Sequence, residues 1–170
     1  GIKDLPTWKD GITIFTWPSG NDTLRAYREF IAQGIDGSEL FKASSAWMVL
    51  SMEKKMPVLM RDVLKDIKIS SKRNYPELDR LRPPMEGKFI MDLKVPYHSI
   101  DSNGHVNNTE YVKWSIDAAH EAGIEIRNIK TAQATFSAEV FQGQELEVFG
   151  TDLSEDCMTI SIIRKDDGKK

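Results

Sequence analysis

An acid, an imidazole and three side-chain amides crowd into one short run of this chain: Asp101, Asn103, His105, Asn107 and Asn108. These are residue types that orient a water, accept or deliver a proton, and hold a polar substrate atom. Taken singly, Asp101, Asn103 and Asn107 are ordinary turn and cap residues, and His105 is a packed loop histidine. Four polar groups converging on one helix entrance point past that reading. The first turn of a helix offers unsatisfied backbone N–H groups and the positive end of the helix dipole. Such a place favours a developing negative charge.

The flanking elements must position this run. Upstream, residues 88–95 alternate, with Phe89, Met91, Leu93 and Val95 on one face, as in a half-buried strand. Pro96 stops the ladder because it has no N–H to donate. Asn103-Gly104 is a turn pair that tolerates positive φ. Asn107 caps the next helix, and Glu110 completes a capping-box-like pair. That helix is predicted over residues 107–122, with Gly123 at the C′ position. Glu110, Lys113, Asp117, His120 and Glu121 form its polar face. Tyr111, Val112, Trp114, Ile116, Ala118, Ala119 and Ala122 form an apolar face so wide that the helix should be largely wrapped.

Composition excludes several function classes. The 170 residues carry 23 Lys+Arg against 26 Asp+Glu, a net charge of −3, which does not suggest general nucleic-acid binding. No apolar run approaches membrane-spanning length. The lone cysteine, Cys157, rules out an internal disulfide and fits a reducing compartment. No secretory or transit signal is visible, and a cytoplasmic location is expected. His98, His105 and His120 show no metal-ligand spacing, so neither a metal nor another cofactor is implied.

Elsewhere the chain reads mostly as strands: residues 11–17, a turn over 18–22, then 24–32 and 39–52. Leu24, Ala26, Arg28, Phe30 and Ala32 share one face of the second strand. Trp8 and Trp47 are expected to pack in the core or a hairpin. Residues 61–84, charged and proline-bearing, read as a linker. The nine basic and six acidic residues between Arg61 and Lys94 fit a solvated connector slightly better than a basic docking surface for an acidic carrier. After the helix, residues 130–140, 145–149 and 157–164 alternate as strands. Together with residues 88–96 these should form an antiparallel sheet, with the helix lying across it.

Asp-x-Asn-x-His-Val-Asn-Asn followed by x-x-Tyr-x-x-Trp, residues 101–114, resembles the signature of the acyl-ACP thioesterases. The run W-x-D-x-I-x-I-x-T-W-P-S-G from Trp8 and the stretch A-S-S-A-W-M-V-L from Ala43 are similar to the first half of the same family. The resemblance implies an α+β hotdog fold, in which an antiparallel sheet wraps a long central helix, with two such units in tandem. It implies hydrolysis of fatty acyl thioesters of acyl carrier protein. It also implies a site glutamate at the position of Glu139, which this chain keeps. Plant members often carry a cysteine just after that glutamate; here Val140 stands there, which favours attack by water or a carboxylate over a thiol nucleophile.

The expected roles follow from the chemistry of thioester hydrolysis. Glu139, helped by Asn103, orients or deprotonates the water; His105 polarises the carbonyl or carries a proton. Asp101 fixes the motif geometry or attacks directly. Backbone N–H groups near Asn107 and Asn108 bind the oxyanion. Two other function classes stay open: a hotdog thioesterase or dehydratase acting on acyl-CoA, and a non-catalytic acyl-binding module.

A weak internal repeat supports the tandem reading. Residues 10–15 match residues 144–149, and each copy leads on to an Asp-Gly turn, at Asp36-Gly37 and Asp167-Gly168. The expected division is a partial first unit over 1–60, the linker over 61–84, and a second unit over 85–170 that carries the motif. The first copy lacks a helix and the second lacks its last strand. Either residues are missing at both ends, or a partner chain supplies the cover, which leaves a homodimer open.

Overall fold

The computed structural model describes residues 1–51, 53–54, 56–76, 78, 80–81, 86–124, 126, 129–151 and 157–165. The chain forms two compact units: Gly1–Asp79 with Lys130–Ala132, and Arg80–Ile129 with Gln133–Lys170.

The first unit is built on an antiparallel sheet of β1 (Ile12–Asn21), β2 (Arg25–Gly34) and β3 (Glu39–Met48), in the order β1-β2-β3. The turn expected over 18–22 is instead the end of β1. The register shifts between Pro18 and Gly20, a bulge that tolerates a proline without a donor, and Gly20 sits at φ 147°. The turn falls at Asp22, whose carboxylate accepts from the N–H groups of Leu24 and Arg25 at 2.9 and 2.8 Å. The Tyr27 hydroxyl, then the Leu24 N–H, hold the Asp22 carboxyl well below the usual carboxylate range.

The covered positions of β2 differ from the apolar stripe its alternation suggests. Ala32 is buried, but so is Glu29, on the opposite face. Ser19 Oγ donates to Glu29 at 2.6 Å, and Ser44 Oγ donates to its other carboxylate oxygen. Asn74 N–H donates at 3.0 Å, and Arg73 Nε lies 4.0 Å away. Ser70 N–H donates to Pro18 O, Trp17 Nε1 donates to Lys72 O, and Asn74 Nδ2 donates to Phe30 O and Ala43 O. Residues 70–74 therefore lie bonded along this sheet. Ile12, Ile14, Phe15 and Met48 are exposed, and the only helix of this unit among the described residues is the single turn α1 (Met60–Val63). Trp8 and Trp47 are exposed rather than packed, because no layer covers that part of the sheet among the described residues.

The second unit holds an antiparallel sheet of β4 (Lys88–Lys94), β5 (Glu145–Thr151) and β6 (Thr159–Arg164), in the order β4-β5-β6. Its helix, α2 (Asn108–Glu121), runs where the caps predict it, from Asn107 as N-cap to Ala122 as C-cap, and Gly123 follows at φ 78°. Leu93, Val95, Val106, Tyr111, Trp114, Val140, Leu146 and Ile162 form one apolar cluster. The helix is not wrapped all round among the described residues: Val112 and Ile116 are exposed, since the three strands described there cover only the stripe through Trp114 and Ala118.

Two expectations for this sheet fail. Phe89 does not share a face with Met91. A bulge at Ile90 pairs Phe89 with Phe149 and Met91 with Val148, and a one-residue slip reverses the face. Residues 130–140 do not form a strand. Their alternation offers two faces, but no strand supplies a ladder for them among the described residues, and Ala132 and Ala134 are exposed. Side chains and single backbone bonds hold the segment instead. Arg80 Nη2 donates to Ser137 Oγ at 3.1 Å, and Leu81 N–H donates to Thr135 Oγ1 at 3.1 Å.

Candidate active site

The ladder of β4 runs on to Val95, whose N–H donates to Gln144 O, and ends at Pro96. A 3-10 turn over Tyr97–Ser99 follows. An antiparallel bridge between Ile100 and Val106 then closes the loop that carries Asp101, Asn103 and His105. Within it, Asp101 N–H donates to His105 O at 2.9 Å and Gly104 N–H to Asp101 O at 3.1 Å. Gly104 takes φ 84°, where a side chain would be strained.

This closure brings the acid and the imidazole together. His105 Nδ1 lies 3.7 Å from Asp101 Oδ2 and 3.5 Å from Val106 O. The first distance is an ionic contact when the imidazole is protonated, not a hydrogen bond. Asp101 is otherwise engaged with Asn103: Oδ1 accepts its N–H at 2.8 Å, and Oδ2 accepts its Nδ2 at 3.4 Å. Asp101 and His105 side chains keep 20% and 30% exposure, so both remain open to a reactant.

At the helix entrance, Asn107 Oδ1 accepts from Thr109 N–H at 2.9 Å and from Thr109 Oγ1 at 2.7 Å. Asn107's own N–H donates to Ser99 O at 2.9 Å. That bond has two consequences. The Asn107 N–H is not available to an oxyanion, whereas the Asn108 N–H has no partner among the described residues. The expected capping box also does not form, because the donor Glu110 would accept is already used. Glu110 is buried instead of solvent-facing, and it accepts from Ser99 Oγ at 3.0 Å and Lys113 Nζ at 2.6 Å. The Lys113 ammonium holds the Glu110 carboxyl below its ordinary value, against desolvation, with Ser99 assisting. Sequence reasoning missed this brace; a serine just ahead of the motif was its only trace.

Glu139 lies in the strandless segment and is exposed. Its carboxylate has no hydrogen bond or ion pair among the described residues, and so none to His105 or Asn103. What approaches the motif is the backbone of the next residue: Val106 N–H donates to Val140 O at 2.8 Å. The peptide just past Val140 is thereby tied to the peptide just past His105. Nearby, the Tyr111 ring meets Trp114 and Phe136 edge-on, at 5.3 and 5.6 Å between centroids. Burial pushes the Tyr111 phenol up, and the Arg164 charge opposes it. Cys157 is exposed, just ahead of β6 and outside the motif. No trio of His, Cys, Asp or Glu side chains could hold a metal among the described residues. No helix there is long and apolar enough to cross a membrane.

The arrangement resembles that of known proteins over most of its length. Family models match the acyl-ACP thioesterase N-terminal domain at residues 1–67 and the C-terminal domain at residues 83–170. A palmitoyl-acyl carrier protein thioesterase of Cuphea hookeriana, described as chloroplastic, is 24% identical over 157 residues, which is 86% of this chain and 37% of that protein. The oleoyl-acyl carrier protein thioesterase 1 of Arabidopsis thaliana, also chloroplastic, is 20% identical over 168 residues, 91% of this chain and 46% of that protein. The chain thus spans less than half the length of these relatives. An acyl-ACP thioesterase structure from Bacteroides thetaiotaomicron superposes with a TM-score of 0.78 at 21% identity, covering 99% of this chain and 68% of that one. The 12:0-ACP thioesterase of Umbellularia californica gives 0.72 at 16% identity, covering 99% and 67%. These likenesses show the fold, an α+β hotdog architecture with antiparallel sheets and a central helix. With family models matching both its first and its second half, the chain belongs to the acyl-ACP thioesterase family.

Proposed function

We propose that this protein hydrolyses the thioester between a fatty acyl chain and acyl carrier protein, releasing the free acid and ending chain synthesis. The supporting observation is the main-chain bond from Val106 to Val140, which ties the segment bearing Glu139, whose carboxylate has no partner among the described residues, to the loop holding His105 against Asp101.

Glu139 takes a proton from a water as its oxygen attacks the thioester carbonyl carbon. Negative charge on the carbonyl oxygen is met by the Asn108 N–H and the positive end of α2. The tetrahedral species collapses, the C–S bond breaks, and His105 delivers a proton to the carrier's thiolate. Asp101 fixes the imidazole and the turn; its engagement with Asn103 favours this role over direct attack. Asn103 shapes the loop through Asp101 and helps position the water. No bound metal or other cofactor enters these steps.

The proposal extends to organisation. The chain carries two hotdog halves in tandem, a first unit over 1–60 and a second over 85–170 joined by 61–84, with the chemistry in the second. The carrier is the partner, and the site of action is cytoplasmic, in keeping with the single cysteine.

His105→Ala should lower kcat on an acyl-ACP thioester by roughly two to four powers of ten, the range for a positioned acid or base. Cys157→Ser should leave kcat near wild type. Loss of hydrolysis in folded Cys157→Ser with His105→Ala fully active would overturn the water-attack reading.

A further inference from the structure

We infer that Arg164 is a positioning residue for Glu139, acting through the main chain. This rests on the reading of Glu139 as the base.

Residues 130–140 lack a ladder, so their carbonyls must find other donors. At Glu139 the donor is Arg164, whose Nη1 lies 2.9 Å from the Glu139 carbonyl oxygen. The next carbonyl, that of Val140, accepts from Val106 N–H at 2.8 Å. Two consecutive peptide planes after Glu139 are therefore held from two directions, one from the end of β6 and one from the motif loop. Where the carboxylate points depends on those planes.

Arg164 is itself well fixed. It pairs in register with Leu146, which is fully buried. Its charge is also felt by the half-buried Tyr111 phenol of α2. The guanidinium thus stands where β6, α2 and the Glu139 segment meet. In a regular sheet, a neighbouring N–H would satisfy the Glu139 carbonyl. Here a side chain does so, and one substitution can remove it. Arginine suits the task, since its planar fork is pre-organised and keeps its charge.

The test is a double-mutant cycle in the full chain: wild type, Arg164→Gln, Glu139→Gln and the pair, each measured for kcat, KM and Tm on an acyl-ACP thioester. Arg164→Gln should lower kcat by about 10- to 100-fold, the scale of a small misplacement, with KM and Tm close to wild type. Arg164→Lys, which keeps the charge and one donor, should lose only about 3- to 10-fold. The double variant should be no slower than Glu139→Gln alone, because residues acting through one group are not additive.

Folded Arg164→Gln with wild-type kcat, or full multiplication of the two losses, would overturn the inference. If Arg164→Gln does not fold, Arg164→Lys decides, and wild-type kcat there overturns it. Wild-type activity in Glu139→Gln would instead remove the base reading itself. An inactive Glu139→Gln beside a fully active Arg164→Gln removes only the role of Arg164.

Discussion

Glu29 and Glu139 carry the same side chain in opposite circumstances. Glu29, in the first unit, is fully buried, and its carboxylate accepts from Ser19, Ser44 and the Asn74 backbone. Glu139, in the second unit, is exposed, and its carboxylate has no partner among the described residues, while its backbone is tied beside the motif. A buried carboxylate is tolerable only when donors replace its water. The Glu139 carboxylate has no such donors among the described residues. The first glutamate fastens residues 70–74 to a sheet; under the proposed function the second serves as the base.

The largest effect on stability should come from the buried member. Glu29→Ala leaves two hydroxyls and one N–H without their acceptor, a loss of about 3–9 kcal/mol at roughly 1–3 kcal/mol for each unsatisfied group. Urea unfolding followed by tryptophan fluorescence would measure it. Glu29→Gln keeps some of these bonds and should cost less, with kcat of the folded fraction unchanged. A Glu29→Ala protein as stable as wild type would break the contrast between the two glutamates.

A smaller effect is expected at the helix entrance. Asn107→Ala removes the acceptor of Thr109 N–H, and loss of such a cap costs about 1 kcal/mol. Thermal unfolding would read it; an unchanged Tm would mean that the Ser99–Asn107 backbone bond alone holds the entrance.

The smallest effect should be a dependence on acid. The Glu110 carboxyl titrates lower in the folded chain than when free, chiefly because of Lys113. Its contribution is present at pH above the ordinary glutamate value of 4.5 and fades as pH falls through the lower folded value. Glu110→Gln should flatten this part of the Tm-against-pH curve. An identical acid limb in both proteins would show that the Ser99–Glu110–Lys113 brace is not charge-linked.

The second unit is more legible in the sequence than the first, for physical reasons. Pro96, Gly104, Asn107 and Gly123 are local instructions, each read by its own backbone, and the motif loop and α2 follow them. Period-two alternation says less. It gives two faces but not which one is covered, so Glu29 was hidden: its cover comes from Asn74, far along the chain. Nor does alternation reveal whether a partner strand exists, which is why residues 130–140 look like a strand and are held by Arg80, Arg164 and Val106 instead. A single extra residue at Ile90 moves Phe89 to the other face, and nothing in the local pattern marks it. At the site, Asp101, Asn103 and His105 come together as their spacing suggests. The split between Asn107 and Asn108 as N–H donors depends on the carbonyl of Ser99, which spacing alone does not place.

The most direct test of the account is Glu139→Gln, assayed for kcat on an acyl-ACP thioester and for Tm in the same preparation. The substitution keeps the volume and removes the charge. A Glu139 base predicts a fall in kcat of roughly two to four powers of ten, with Tm unchanged because this exposed carboxylate has no partner among the described residues to lose. A folded Glu139→Gln protein with wild-type kcat would contradict it.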